Sequence, residues 1–366
     1  MGEVKILTVV PVLNEENHLG RCLSSLRSQT FDPKLHQILV LDGGSTDETR
    51  RIAERHAEES KQGDGPLVEI LDNPGRHVSQ ARNLALERAE NYTHMFEIIG
   101  HTWVPDDHLQ SRVDDLLETE KFLGTSIGSM GTKVHVDADG KGLVASAIEC
   151  ALHSRLGGSG QFARFKGKGP ASSPAFCLHR VDVVKSIGGW DDRWIAGQDH
   201  DLNHRIADAG SLVMRSDVSF VSMSKRTTLR GLWGMGIRYG YWRMRQLRAY
   251  PSRARLREFL PWIGLIATLA CYSLSFPYSE MYLREFSFSM IGAYLSILAL
   301  VGLSSELTNR NLRRKLPLGG TCLVILSLVM LHTSFSIGLL SGFLGMKPPS
   351  NERVRSANHS SNRGGN

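Results

Sequence analysis

Two short stretches near the start of the chain hold residues that could grip a nucleotide. In VVPVLNEE, an apolar run gives way to Pro11, Asn14 and Glu15. In the second, the apolar run His36–Leu41 ends in Asp42-Gly43-Gly44-Ser45-Thr46-Asp47. A carboxylate beside a glycine-rich turn can accept hydrogen bonds from ribose hydroxyls or a base N–H, and the glycines let a ligand approach the backbone closely. Asp-Gly-Gly-Ser by itself also makes an ordinary turn into a helix. A third stretch, MFEIIGHTWVPDDHL from Met95 to Leu109, runs as a buried strand into an exposed turn and carries Ile99, Gly100 and His101 at its end.

The elements that must position these residues follow from apolar periodicity. Ile6–Val12 is a nearly continuous apolar run, the pattern of a buried parallel strand. Asn14 then reads as the cap of a helix with Leu19, Cys22, Leu23 and Leu26 at helical spacing. Ser45 and Glu48 have the spacing of a capping box for the next helix. Leu67–Leu71 reads as a third strand, Ser79–Glu90 as a helix and Met95–Ile99 as a fourth strand. Strands alternating with helices predict a parallel sheet with ligands at the carboxyl ends of its strands. Both candidate stretches fall there.

The 366 residues carry a net charge of +6, and the charge is unevenly placed. Lys225–Arg257 contains ten Lys or Arg and no acid. Interleaved with Trp and Tyr, and abutting an apolar run, this segment reads as a membrane-interface segment in contact with lipid headgroups rather than a nucleic-acid surface. Three uncharged apolar stretches follow, Phe259–Phe276, Phe286–Leu303 and Leu318–Leu344, each near the length of a membrane span. The organisation predicted is a domain over 1–224, an interface segment over 225–257, three spans over 258–345 and a disordered tail over 346–366. Basic flanks RARLRE and NRNLRRK put the amino-terminal domain on the cytoplasmic face of a multi-pass protein. The five cysteines lack a Cys-x-x-Cys spacing, which argues against a zinc site or a disulfide framework. The opening MGEVKILTVV reads as a first strand rather than a secretory signal, and Ile6 stands where a myristoylation signal needs Ser or Thr.

VVPVLNEENHLGRCLSSLRSQT, LVLDGGSTDETRRIAE and SQARNLAL together resemble family 2 glycosyltransferases, which have the GT-A, Rossmann-like nucleotide-sugar-binding fold. SPAFCLHRVDVVKSIGGWDDRW resembles the family's acceptor-side segment, and GQDHDLNHRIADAG the segment holding its catalytic base. KRTTLRGLWGMGIRYGYWR and LHTSFSIGLLSGFLG resemble the membrane-bound succinoglycan-biosynthesis branch. The resemblance implies an inverting transfer of sugar from a nucleotide-sugar donor to a lipid-linked or saccharide acceptor. It puts the base at Asp199, with Asp201 and Trp190 on the acceptor side. Pro11, Asn14, Glu15, Asp42, Gly44 and Ser45 would line the nucleotide. A general base must accept a proton at neutral pH within reach of the hydroxyl, which Asp199 can do, although acids also simply favour helix starts.

Two positions depart from the family. Gly43 stands where many members have a second acid, so a preference for uridine does not follow. Ile99 stands where the leading acid of the metal-binding motif belongs, before Gly100 and His101. A divalent cation such as Mn²⁺ or Mg²⁺ is implied by the family, but only His101, with Asp106 or Asp107 nearby in sequence, remains to hold it. Alternatively, a cationic side chain such as Arg82 could neutralise the leaving diphosphate. The readings carried forward are a membrane-anchored inverting glycosyltransferase, a polyprenyl-phosphate sugar synthase and a non-catalytic scaffold of the same fold.

Overall fold

The computed structural model describes residues 3–137, 142–154, 156–157, 167–224, 227–276, 281–308 and 320–349. It divides into two compact units. The first comprises 1–136, 160–224 and 350–366, and the second 137–159 and 225–349. The basic loop 309–315, used above to orient the chain, and the tail beyond residue 349, read above as disordered, lie outside the described residues.

The first unit is built on a mixed sheet. Its parallel half consists of β1 (Ile6–Val12), β2 (His36–Asp42), β3 (Leu67–Asp72) and β4 (His94–Glu97), linked by α1 (Leu19–Arg27), α2 (Thr49–Gln62) and α3 (Val78–Glu87). The short β5 (Thr102–Trp103) and α4 (His108–Leu123) lead into β6 (Ile127–Asp137). Beyond it come β7 (Gly169–Pro170), β8 (Ala175–Arg180), α6 (Val181–Ser186), α7 (Gln198–Asp208) and β9 (Leu212–Ser224). The spatial order is β3-β2-β1-β4-β8-β6-β9-β5, with β7 on β9 and β8 antiparallel to β4.

Every residue of β1 is buried, which accounts for its unbroken apolar run. Ile6, Val10 and Val12 face one apolar layer with Leu19, Leu23 and Leu26 of α1. Leu7 and Val9 face the other, with Ala81 and Ala85 of α3. The register aligns Val12 with Asp42 and Asp42 with Asp72, so the carboxyl ends of three strands form one edge. Glu97 sits beside Val9 on the same side of the sheet's centre, closing β4 three residues earlier.

The second unit contains α5 (Leu143–His153), α8 (Leu229–Ala249), α9 (Leu260–Leu274), α10 (Met281–Thr308) and α11 (Gly320–Phe343). The apolar helix α5, inside the stretch 1–224 read above as one domain, packs here with Leu298, Val324 and Leu328. Among the described residues, two helices are long and apolar enough to cross a membrane, Met281–Val301 within α10 and Gly320–Phe343. The first stretch read as a span forms the 15-residue α9. At 1.5 Å per residue that is roughly 22 Å, short of a hydrocarbon core of about 30 Å. Within the basic segment, Leu229–Ala249 is one helix packed along α11.

Candidate active site

The loops after β1 and β2 are stitched together by side chains. Asn14, in the left-handed region at φ 52°, accepts from the Thr46 N–H at 2.9 Å and donates its own N–H to Ser45 Oγ at 3.0 Å. Asp42 Oδ1 accepts from the Ser45 N–H at 3.0 Å and the Ser45 hydroxyl at 2.6 Å. Arg50 stands 3.8 Å from its other oxygen. The Glu15 N–H donates to Thr49 Oγ1 at 2.6 Å. Both helix caps expected here are therefore corrected. Asn14 bridges to the second loop while α1 starts at Leu19, and Ser45 serves Asp42 while α2 starts at Thr49. A side chain that can reach across 31 residues outcompetes the local cap. Gly44 supplies the positive φ of 79° that the turn requires. Pro11 is buried inside β1, beyond the last residue paired with β4, so its missing N–H breaks no bond to that strand.

The end of β4 answers what replaces the absent acid. Ile99 turns its side chain into the apolar layer, and its carbonyl accepts the Thr102 hydroxyl at 2.6 Å. His101 instead meets Glu15, with Nδ1 2.7 Å from the carboxylate. Gly100 makes this possible, since a Cβ there would lie 3.0 Å from Glu15 Cγ and 3.1 Å from Val12 Cγ1. The carboxylate missing from β4 thus arrives from the loop after β1. Asp106 is bonded to the Ser28 hydroxyl at 2.7 Å and Asp107 to the Ser111 hydroxyl at 3.2 Å, so they serve α1 and α4. One imidazole and one carboxylate at this edge fit a cation that tolerates nitrogen, such as Mn²⁺, better than Mg²⁺ with its demand for oxygen.

Arg82, considered above as a partner for the diphosphate, is buried to 2% and ion-paired on two sides. Its Nη1 pairs with Asp199 and stands 3.3 Å from Glu97 Oε1. His179 Nε2 is 2.9 Å from the same Glu97 oxygen. Burial alone would raise the Glu97 carboxyl, but Arg82 and His179 outweigh it and hold it down at about 2. For Asp199 burial wins over the pull of Arg82, and its carboxyl lies above the usual carboxylate range. The Asp199 side chain keeps 37% of its surface exposed while Arg82 and Glu97 are sealed. Two carboxylates around one guanidinium are thereby driven apart, the arrangement that separates a structural acid from a working base.

Asp201 and Trp190, expected on the acceptor side, are both buried. Asp201 is fully buried and holds Arg205 at 2.8 Å, one turn along α7. Trp190 is 2% exposed and clamped to Asn83 by two hydrogen bonds of 2.8 Å. Its ring stands edge-on to His179 at 5.6 Å. Both are held by neighbouring side chains at the base of the Asp199 cluster. Glu97 and His179 escaped the sequence reading, although a lone acid within the apolar run MFEII was a visible sign. Glu97, Cys177 and His179 bring ligand atoms within 4.8 Å of one another. A cation does not fit among them, because Arg82 already supplies the positive charge and burial pushes the Cys177 thiol up to about 12.

Residues 8–188 match the model of glycosyl transferase family 2. Over 257 residues, 70% of this chain and 74% of the relative, the sequence is 30% identical to the succinoglycan biosynthesis protein ExoA of Rhizobium meliloti. The chain belongs to glycosyltransferase family 2. The glycosyltransferase is also 24% identical over 214 residues to AglE of Haloferax volcanii, covering 58% of this chain and 65% of that one. Among solved structures, the mannosyltransferase PcManGT of Pyrobaculum calidifontis, in complex with GDP-Man and Mn²⁺, superposes with a TM-score of 0.55 at 14% identity. The alignment covers 94% of this chain and 88% of that one, and establishes the GT-A fold.

Proposed function

We propose that this glycosyltransferase moves a sugar, with inversion, from a nucleotide-sugar donor to a lipid-linked acceptor at the cytoplasmic face of a membrane, in polysaccharide or glycan assembly. The observation that carries the reading is Asp199, a partly exposed carboxylate with a raised proton affinity, paired with the buried Arg82 beside the end of β4. In this mechanism Asp199 takes the proton of the acceptor hydroxyl as the new C–O bond forms. The sugar–phosphate bond breaks on the opposite face, and the diphosphate leaves with its electron pair. Asp42, Gly44 and Ser45 shape the nucleoside end of the cleft, and Asn14 locks its two loops together. Glu15 and His101 would hold a divalent cation, which supplies charge neutralisation for the departing diphosphate. A GT-A relative holding GDP-Man and Mn²⁺ supports a nucleotide-sugar donor and such a cation. The apolar length of α10 and α11, and exposed Leu265, Leu269, Phe286 and Ile291 on α9 and α10, support a membrane location.

The test is a panel of labelled nucleotide sugars incubated with the purified full chain and a membrane lipid extract, with and without chelator. Label should enter the lipid fraction from one donor, and Asp199→Asn should reduce that rate by about 10²–10⁴-fold. A lipid product formed at full rate by the variant would point instead to a phosphate acceptor, already a nucleophile. Nucleotide binding without transfer or donor hydrolysis under any donor would overturn the enzymatic reading.

A further inference from the structure

The buried cluster beneath Asp199 is larger than a base needs. Five groups meet there from four elements: Arg82 from α3, Glu97 from β4, His179 and Cys177 from β8, and Asp199 itself at the start of α7. On α7, Asp201 is neutralised by Arg205, and His200 packs edge-on against His204. Arg82 is the only cationic side chain in ion-pair contact with Asp199 among the described residues. Glu97 touches that same guanidinium from the sealed side, fixed by His179 at 2.9 Å. Stability does not call for this construction, since buried ion pairs are commonly replaced by apolar groups at little or no cost. Met95 and Phe96, just before Glu97 on the same strand, are ordinary apolar core residues.

We propose that Glu97 is a positioning residue for the transfer reaction: by sharing the Arg82 guanidinium with Asp199, it limits the positive charge acting on the base. The proposal rests on the reading of Asp199 as the base. The required balance is easily stated. Arg82 must keep Asp199 ionised and aimed, but its undivided charge would make the carboxylate too weak a proton acceptor. Glu97 takes a share of that charge. His179 holds the Glu97 carboxylate in place, so the division is set by geometry and not by solvent. Without Glu97, the Arg82–Asp199 pair tightens and the base weakens.

The test is the pH profile of kcat/KM for the full chain in detergent, using the donor found active above. In Glu97→Gln the acid limb should move to lower pH by about one unit, with a lower plateau, because a neighbouring like charge has been removed from Asp199. Nucleotide affinity should not change. Glu97→Asp should restore the profile most of the way, and serves as the readable variant if the amide does not fold, with a smaller movement in the same direction. Arg82→Lys should move the limb upward, since the shorter contact of a point charge is lost. An acid limb that stays in place in Glu97→Gln, or moves upward, overturns the proposal while an inactive Asp199→Asn leaves the base assignment standing. An Asp199→Asn enzyme of undiminished rate removes the base and this proposal together.

Discussion

Glu15 brings a carboxylate to His101, next to the position where the family places an acid and this chain has Ile99. Its backbone N–H ties the two nucleotide loops through Thr49, while its carboxylate crosses over Gly100 to reach His101. Gly100 is therefore the sensitive position. Gly100→Ala would put a methyl 3.0 Å from Glu15 Cγ and 3.1 Å from Val12 Cγ1, and the Glu15 side chain, which can turn at its end, would give way. Activity should fall at least tenfold and the Mn²⁺ concentration for half-maximal rate should rise, with a melting temperature within a few degrees of the parent, as a displacement of about 1 kcal/mol implies. Glu15→Gln should show the same rise in Mn²⁺ requirement with intact folding. A metal response identical to that of the parent in both variants would dissociate this pair from any cation. The candidate base was reached in the sequence through the resemblance of GQDHDLNHRIADAG to the family's base-bearing segment, since an acid at a helix start is by itself an ordinary cap. Glu97 was not, because strand periodicity marks only which face a residue takes. What that face meets, here Arg82 from a helix 15 residues upstream, is a tertiary fact.

At the scale of elements, the least expected feature is the pairing of α8 with α11. Gly236 faces Ser334, Gly240 faces Phe335 and Gly338, and Gly342 faces Tyr241, so the helices run parallel with small residues every fourth position. A Cβ at Gly338 would collide with the Ile237 carbonyl, and one at Gly342 would lie 2.6 Å from the Tyr241 carbonyl. The Tyr241 hydroxyl donates to the Met346 carbonyl at 2.9 Å and Arg248 to that of Phe343 at 3.3 Å. Such a small-residue seam is the arrangement by which helices approach closely where lipid removes the hydrophobic drive between them. Gly338→Ile should separate the pair and destabilise the second unit by about 1–3 kcal/mol, the usual cost of overpacking. A cysteine pair introduced across the seam, Ile237→Cys with Ser334→Cys, should crosslink in the parent and lose that crosslink when Gly338→Ile is added. Undiminished crosslinking would mean that the seam is not a close contact. The sequence shows G-x-x-x-G in one helix and S-x-x-x-G-x-x-x-G in the other, but the reading of 225–257 rested on its ten basic residues and left the seam unnoticed. Charge reports what faces water, whereas the glycines report what faces the neighbouring helix. The strands were legible for a simpler reason, as β1 and β2 are buried on both faces and need no partner to be recognised.

For the molecule as a whole, the division into two units makes acid response a discriminating measurement. The first unit buries neutral imidazoles. Burial holds His36 down at about 3, beside Thr8 Oγ1 at 2.8 Å, and burial with Arg180 and His179 does the same to His94. His108 is held low as well, by burial and by Arg112. An unfolded chain binds protons at these histidines from about pH 6.5 downward, whereas the folded chain does not until about pH 3. The stability they contribute is complete above the unfolded value and is lost progressively as pH falls toward 3. Glu97 adds to the loss over a lower window, from its unfolded value near 4.5 down to about 2. Among the described residues of the second unit no comparable set is present, and helices α9, α10 and α11 there are mainly apolar. Acidification from pH 7 to pH 4 should therefore unfold the sheet while much of the helical far-ultraviolet signal survives in detergent. Tryptophan fluorescence from Trp190 and Trp194, both buried in the first unit, would follow the first transition. His36→Gln, which keeps a hydrogen-bonding group near Thr8 but cannot be protonated, should flatten the fall in melting temperature between pH 6.5 and pH 4. A single transition in which fluorescence and helical signal fall together, with the slope unchanged in His36→Gln, would assign the acid limit to a different set of groups.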